Sequence, residues 1–147
     1  MDEPIERFYT PEGGHTRLSN FSPSPFTLGG LEWATVEHYF QAMKTKDPSE
    51  REAIRLAGSP GQAKRLGRKA TLRPDWEEIK LAVMRQALHA KFKPGNLDGR
   101  YLLSTGDAYL IEGNDWGDRF WGVDGGGQNW LGHLLMARRA ELRGGGL

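Results

Sequence analysis

The stretch from Trp33 to Lys44 carries an acid and an amine two helical turns apart. Glu37, Gln41 and Lys44 fall at i, i+4 and i+7, which places them in one stripe if the segment is helical. Val36, Tyr39, Phe40 and Met43 form an apolar arc directly beside that stripe. A carboxylate at the edge of a buried face suits hydrolysis of a glycosidic bond. That reaction passes through a cation-like sugar carbon, which a carboxylate stabilises or toward which it activates water. Glu37 lies near the start of the expected helix, where the macrodipole favours its ionised form. Lys44 is suited to pairing a phosphate, or to attacking a sugar C1 as a free amine if desolvation lowers its pKa. The same three residues would equally make an exposed salt-bridge stripe.

Further groups of the same kind lie downstream. Asp115 and Asp118 stand among Trp116, Phe120, Trp121 and Gly122, although Asp and Gly are also ordinary turn residues. Gly125-Gly126-Gly127 leads through Gln128 and Asn129 into a helical pattern. Backbone N–H groups at such a place can cradle phosphate, or the glycines can simply form a turn and cap. The pattern is neither a P-loop nor a dinucleotide-binding fingerprint. Lys64, Arg65, Arg68, Lys69 and Arg73 crowd into one short stretch, as either a solvated surface or a phosphate-binding edge. Three of the five tryptophans fall between residues 113 and 132, where a glycine-rich backbone suits a ligand site better than a core.

The elements that must hold these groups are mostly helical. A helix is expected from about Thr35, as cap, to Lys46. Another starts at Asp47-Pro48 and runs to about Ala57. A short helix opens with the capping box Ser59 to Gln62 and ends at Gly67. A long helix spans about Pro74–Phe92, a short one Leu97–Ser104, and a last one about Asn129–Leu142, with Leu131, Leu134, Leu135 and Arg138 facing inward. The first thirty residues read as turns and short extended pieces, with the Gly29-Gly30 pair breaking any long element. AYLIEG (residues 108–113) and RFWGV (residues 119–123) read as short strands. The expected fold class is mainly α, a single α-rich domain over residues 1–147 with a few short strands.

Composition limits the chemistry. The 147 residues include no cysteine, which excludes thiolate catalysis, disulfides and cysteine zinc sites. Four scattered histidines lack metal-binding spacing, so neither metal nor cofactor is expected. No apolar run reaches the roughly 20 residues of a membrane span, and the acidic N-terminus lacks a signal-peptide layout. A cytoplasmic protein without membrane attachment is expected. The net charge of +1 and the lack of a basic recognition helix argue against a sequence-specific DNA-binding protein.

In order along the chain, several motifs resemble the NADAR, or YbiA-like, family. They are Leu18-Ser19-Asn20-Phe21, Trp33 through Lys44, Ala63 through Arg68, Asp75-Trp76 with Lys80 and Val83-Met84, Ala90-Lys91-Phe92, Asp118 through Gly122, and Gly127 through Gly132 followed by Leu135-Met136 and Arg138. The resemblance covers about residues 7–142. It implies an α-rich domain and an N-glycosidase acting on ribose phosphates. The implied substrates are ADP-ribose attached to guanine, often in DNA, where a member serves as antitoxin to a DarT-like toxin, and the phosphoribosyl-amine intermediates of riboflavin synthesis. A non-catalytic module that binds ADP-ribose is the remaining alternative.

By the same resemblance Glu37, Lys44 and Asp118 are catalytic. Asn20, Phe21, His38, Gln41, Arg68, Trp76, Asp115, Trp121, Gly122, Asn129 and Gly132 line the ligand site. The stretch Asn114 to Gly117 is longer than the family's usual spacer, which leaves Asp115 and Asp118 as competing second acids.

Overall fold

The computed structural model describes residues 3–6, 8, 15–112, 120–122 and 127–144. The described residues form six α-helices and one two-stranded hairpin, so the chain is α-rich as expected. Its contacts gather into two units, one of residues 20–91 and one of residues 1–19 with 92–147.

The first unit holds the hairpin and four helices. Strands β1 (Phe26–Leu28) and β2 (Leu31–Trp33) pair antiparallel, with Phe26 opposite Trp33. Gly29 and Gly30 join them at φ 65° and 79°, a left-handed pair that a two-residue hairpin turn requires. Helix α1 is Val36–Ala42, and all seven of its residues are buried. Its cap is Thr35, whose side chain accepts from the His38 N–H. Helix α2 (Pro48–Arg55) is capped by Asp47, which accepts from the N–H groups of Ser49 and Glu50. Helix α3 (Pro60–Lys69) is capped by Ser59. Helix α4 is Trp76–Lys91. Helices α2, α3 and α4 all pack on α1, which explains how so short a helix loses its solvent on every side. Edge-to-face contacts tie the layers together: Trp33 against Tyr39 with centroids 5.0 Å apart, and Phe40 against Trp76 at 5.0 Å.

The second unit is built on α5 (Leu97–Ser104) and α6 (Trp130–Arg143). Its core includes Phe8, Leu18, Phe92, Leu102, Leu110, Leu131 and Leu135. Two buried arginines of α6 are satisfied internally. Arg138 Nε donates to the Phe92 carbonyl at 2.9 Å, and Arg139 donates to Thr105 Oγ1 at 2.8 Å.

Four expectations change. The first helix ends at Ala42, before Lys44, which lies in the following turn. The third helix does not stop at Gly67 but continues to Lys69. AYLIEG supplies only an isolated bridge between Leu110 and Ile5. Phe120–Gly122 form no strand, because their carbonyls accept from the N–H groups of Trp130, Leu131 and Asn129 at 3.1, 3.1 and 2.9 Å. These are donors that the start of α6 leaves without intrahelical partners.

Candidate active site

The unit of residues 20–91 concentrates one carboxylate and several cations around α1. Glu37 is 7% exposed. Its backbone N–H donates to the Asn20 carbonyl at 3.1 Å, which anchors the first turn of α1. One turn on, Gln41 Nε2 donates to Glu37 Oε2 at 2.6 Å, a short charge-assisted bond. Burial pushes the Glu37 pKa above the ordinary carboxylate range. The Gln41 hydrogen bond and the charges of Lys64, Lys44 and His38 pull the other way without cancelling it. Desolvation by burial is the largest of these effects.

Lys44 is half-buried, with its Nζ 5.7 Å from the Phe40 ring centroid. Burial lowers its pKa, Glu37 raises it, and Lys64 and Arg68 lower it further. Lys64 and Arg68 come from successive turns of α3, and Arg68 is exposed. Among the described residues no direct salt bridge joins Glu37 to any of these cations. The arrangement is a shielded carboxylate, an amine shifted toward its neutral form and two further cations, all within one another's field. It can stabilise a developing positive carbon and receive phosphate oxygens at its rim.

The other expected site residues divide. Asn20 donates from Nδ2 to Met84 Sδ at 3.7 Å, while its buried Oδ1 has no hydrogen-bond partner among the described residues. Phe21 beside it is 43% exposed. Trp76 is 5% exposed and set edge-on to Phe40, which leaves little of its ring to stack on a ligand. His38 is structural. Its Nε2 donates to the Ala57 carbonyl at 3.0 Å, and its Nδ1 shares a hydrogen bond of 2.8 Å with Thr35 Oγ1.

In the other unit, Asn129 sits at φ 54°. Its side chain donates to the Leu110 carbonyl at 3.0 Å and accepts from the Glu112 N–H at 2.8 Å. A Cβ on Gly132 would lie 2.1 Å from the Leu110 carbonyl oxygen. These two residues therefore clamp the Leu110 segment to α6. Gly122 is buried and gives its carbonyl to the Asn129 N–H, and Trp121 meets Phe120 edge-to-face at 4.7 Å. The N–H groups of Asn129, Trp130 and Leu131 are engaged by the carbonyls of residues 120–122. Asp115, Asp118, Gly125 and Gly126 lie outside the described residues. Among the described residues no group of three His, Asp or Glu side chains is placed to hold a metal ion. The sequence reading missed Gly67 by taking it for a helix end. A glycine inside a continuing helical pattern was the available signal, since it implies a close approach.

The NADAR domain profile matches residues 7–143. The chain belongs to the NADAR family. It is 43% identical to the N-glycosidase YbiA of Escherichia coli K12, over 97% of this chain and 91% of that protein. It is 40% identical to the riboflavin biosynthesis protein VVA0006 of Vibrio vulnificus, covering 97% of this chain but 40% of that longer protein. The NMR structure of E. coli YbiA superposes with a TM-score of 0.83 at 40% identity, over 97% of this chain and 88% of that one. The helices that carry Glu37 and Arg68, and the turn that carries Lys44, therefore belong to a NADAR fold, not to a local accident of sequence. Among the described residues of this NADAR chain, no helix is long and apolar enough to cross a membrane.

Proposed function

We propose that the protein is an N-glycosidase that cleaves the bond between C1 of a phosphorylated ribose and a nitrogen, with ADP-ribose on guanine, free or in DNA, as its substrate. The observation that carries this reading is the buried Glu37 carboxylate, held by Gln41 and within the electrostatic reach of Lys44 and Lys64. The ribose would enter with its phosphates against Lys64 and Arg68, whose charges no ion pair among the described residues cancels. C1 would lie near Glu37, which opposes the positive charge that develops as the C–N bond breaks. Water, or the Lys44 amine, then adds to C1. In the amine route the lysine loses a proton on adding, the ring C1–O bond of the adduct opens to give an imine, and water hydrolyses the imine to return free lysine. The departing nitrogen would take up a proton as it leaves, from an acid or from solvent. On modified DNA the protein would reverse a DarT-like toxin, as an antitoxin does. Family membership and the N-glycosidase name of the E. coli relative support the reaction type.

A second substrate class, the phosphoribosyl-amine intermediates of riboflavin synthesis, is favoured by the name of the Vibrio relative. It requires the same C1 chemistry with one phosphate instead of two. The test incubates the protein with a short DNA bearing ADP-ribosylated guanine and, separately, with a phosphoribosylamino-pyrimidine. Glu37→Gln and Lys44→Ala variants run alongside, and mass spectrometry follows the products. Release of ADP-ribose and of unmodified guanine by wild type alone supports the first substrate. Cleavage of only the pyrimidine moves the assignment to the second. ADP-ribose binding without cleavage of either would refute the enzyme and leave a binding module.

A further inference from the structure

We propose that Gln41 and Gly67 act as a positioning pair for Glu37: Gln41 holds the carboxylate, and Gly67 leaves the room in α3 that Gln41 needs. The activity arm of this inference rests on the N-glycosidase reading, whereas its structural arm does not.

Gln41 is 3% exposed, and only its amide nitrogen can donate to a carboxylate. The bond to Glu37 therefore fixes the amide orientation. That orientation leaves Gln41 Oε1 buried with no hydrogen-bond partner among the described residues, an arrangement that ordinarily disfavours a glutamine against an apolar residue. Gly67 explains where that oxygen goes. A Cβ built on Gly67 would lie 2.0 Å from Gln41 Oε1, 2.8 Å from its Cδ and 3.0 Å from its Cβ. Three atoms of one side chain thus occupy the place of the missing methyl group. Gly67 is not a helix terminus, since α3 runs on to Lys69. A glycine inside a helix is less favourable than alanine, so close passage of Gln41 accounts for its presence.

The pair also sets the electrostatics. Lys64 and Arg68 flank Gly67 on α3, so the approach of α3 to α1 at Gly67 fixes how near these cations come. The cations whose fields reach Glu37 are Lys64 from α3 and Lys44 from the turn after α1, with the titratable ring of His38 next to it on α1. Gln41 adds a donor that favours the ionised carboxylate. Loss of that donor raises the pH at which the carboxylate forms.

The test uses the full chain with Gln41→Met, Gln41→Ala, Gly67→Ala and the double variant Gln41→Ala/Gly67→Ala. Thermal melting is measured for all, and kcat and KM across pH with whichever of the two substrates wild type cleaves. Gly67→Ala alone should lower the Tm and reduce kcat. In the Gln41→Ala background it should lower the Tm by much less, because only the Cβ contact at 3.0 Å remains and alanine favours the helix. Gln41→Met should move the acid limb of kcat to higher pH, with roughly tenfold loss on that limb and KM within about twofold. Equal Tm losses from Gly67→Ala in both backgrounds would overturn the pairing. An unmoved acid limb in Gln41→Met would overturn the positioning role. If wild type cleaves neither substrate, the proposed function fails, and the melting cycle still decides whether Gly67 exists to seat Gln41.

Discussion

Substituting Glu37 by glutamine should stabilise the folded protein at neutral and alkaline pH while removing most of its turnover. The carboxylate is 7% exposed, and burial holds its pKa above the ordinary 4.5 despite Gln41, Lys64, Lys44 and His38. The folded state therefore binds a proton that the unfolded state has already released. Stability falls as pH rises from 4.5 through the raised value, then stays at the lower level. Glutamine keeps an acceptor for the Gln41 amide and never ionises, so it lacks this loss. Desolvating a carboxylate costs several kcal/mol, of which the Gln41 bond returns about 1.5–3 kcal/mol and the cations part of the rest, leaving a net cost on the order of 1 kcal/mol. For 147 residues that corresponds to a Tm gain of about 3 °C. Turnover should fall by about 10²–10⁴-fold if the carboxylate acts at C1. Paired melting curves at about pH 4 and about pH 8 make the comparison, and the gain should appear only at the higher pH. A Glu37→Gln variant that melts below wild type at the higher pH would refute the reasoning. It would mean that the surrounding cations, not burial, dominate at this site.

Two further outcomes follow from neighbouring residues. His38→Ala breaks hydrogen bonds to both Thr35 and Ala57 inside the fold. It should cost about 2–4 kcal/mol, read as a Tm drop of roughly 6–12 °C, and a melting temperature within experimental error of wild type would show that the ring is not a clamp. Lys44, whose pKa burial depresses, should offer free amine at lower pH than an ordinary lysine. Borohydride added during turnover should then leave a ribose-phosphate adduct on the peptide containing Lys44, and none in Lys44→Arg. Turnover without any trapped adduct would assign the attack on C1 to water.

What the sequence could disclose was local. Thr35, Asp47 and Ser59 act as the caps their spacing predicts, because a cap needs only its own next few residues. Leu97–Ser104 begins and ends where its pattern does. The hairpin was legible too, since Gly29-Gly30 between Phe26–Leu28 and Leu31–Trp33 is a two-residue turn signal; reading the glycines only as a break missed it. What failed depended on distant partners. Phe120 to Gly122 have strand-like side chains, yet their carbonyls are taken by the start of α6. Gly67 reads as a stop until Gln41 is seen beside it. In the candidate site, the stripe of Glu37, Gln41 and Lys44 was visible from spacing. Its depth was not, because burial of α1 on every side is set by α2, α3 and α4 together.

That depth explains why a seven-residue helix carries an acid at all. Isolated helices of this length do not persist in water, so α1 exists only because its surroundings hold it. Thr35 closes its start, the Asn20 carbonyl takes the Glu37 N–H, and His38 ties it to Ala57 after α2. Gly67 admits α3 close alongside. Every one of these devices acts on a residue within one turn of Glu37. A solvated stripe of the same residue types would need none of them, since exposed charges are stable on a loosely held helix. Restraint of backbone and side chain around a carboxylate that destabilises the fold is what a preorganised charge requires, and a surface salt bridge does not.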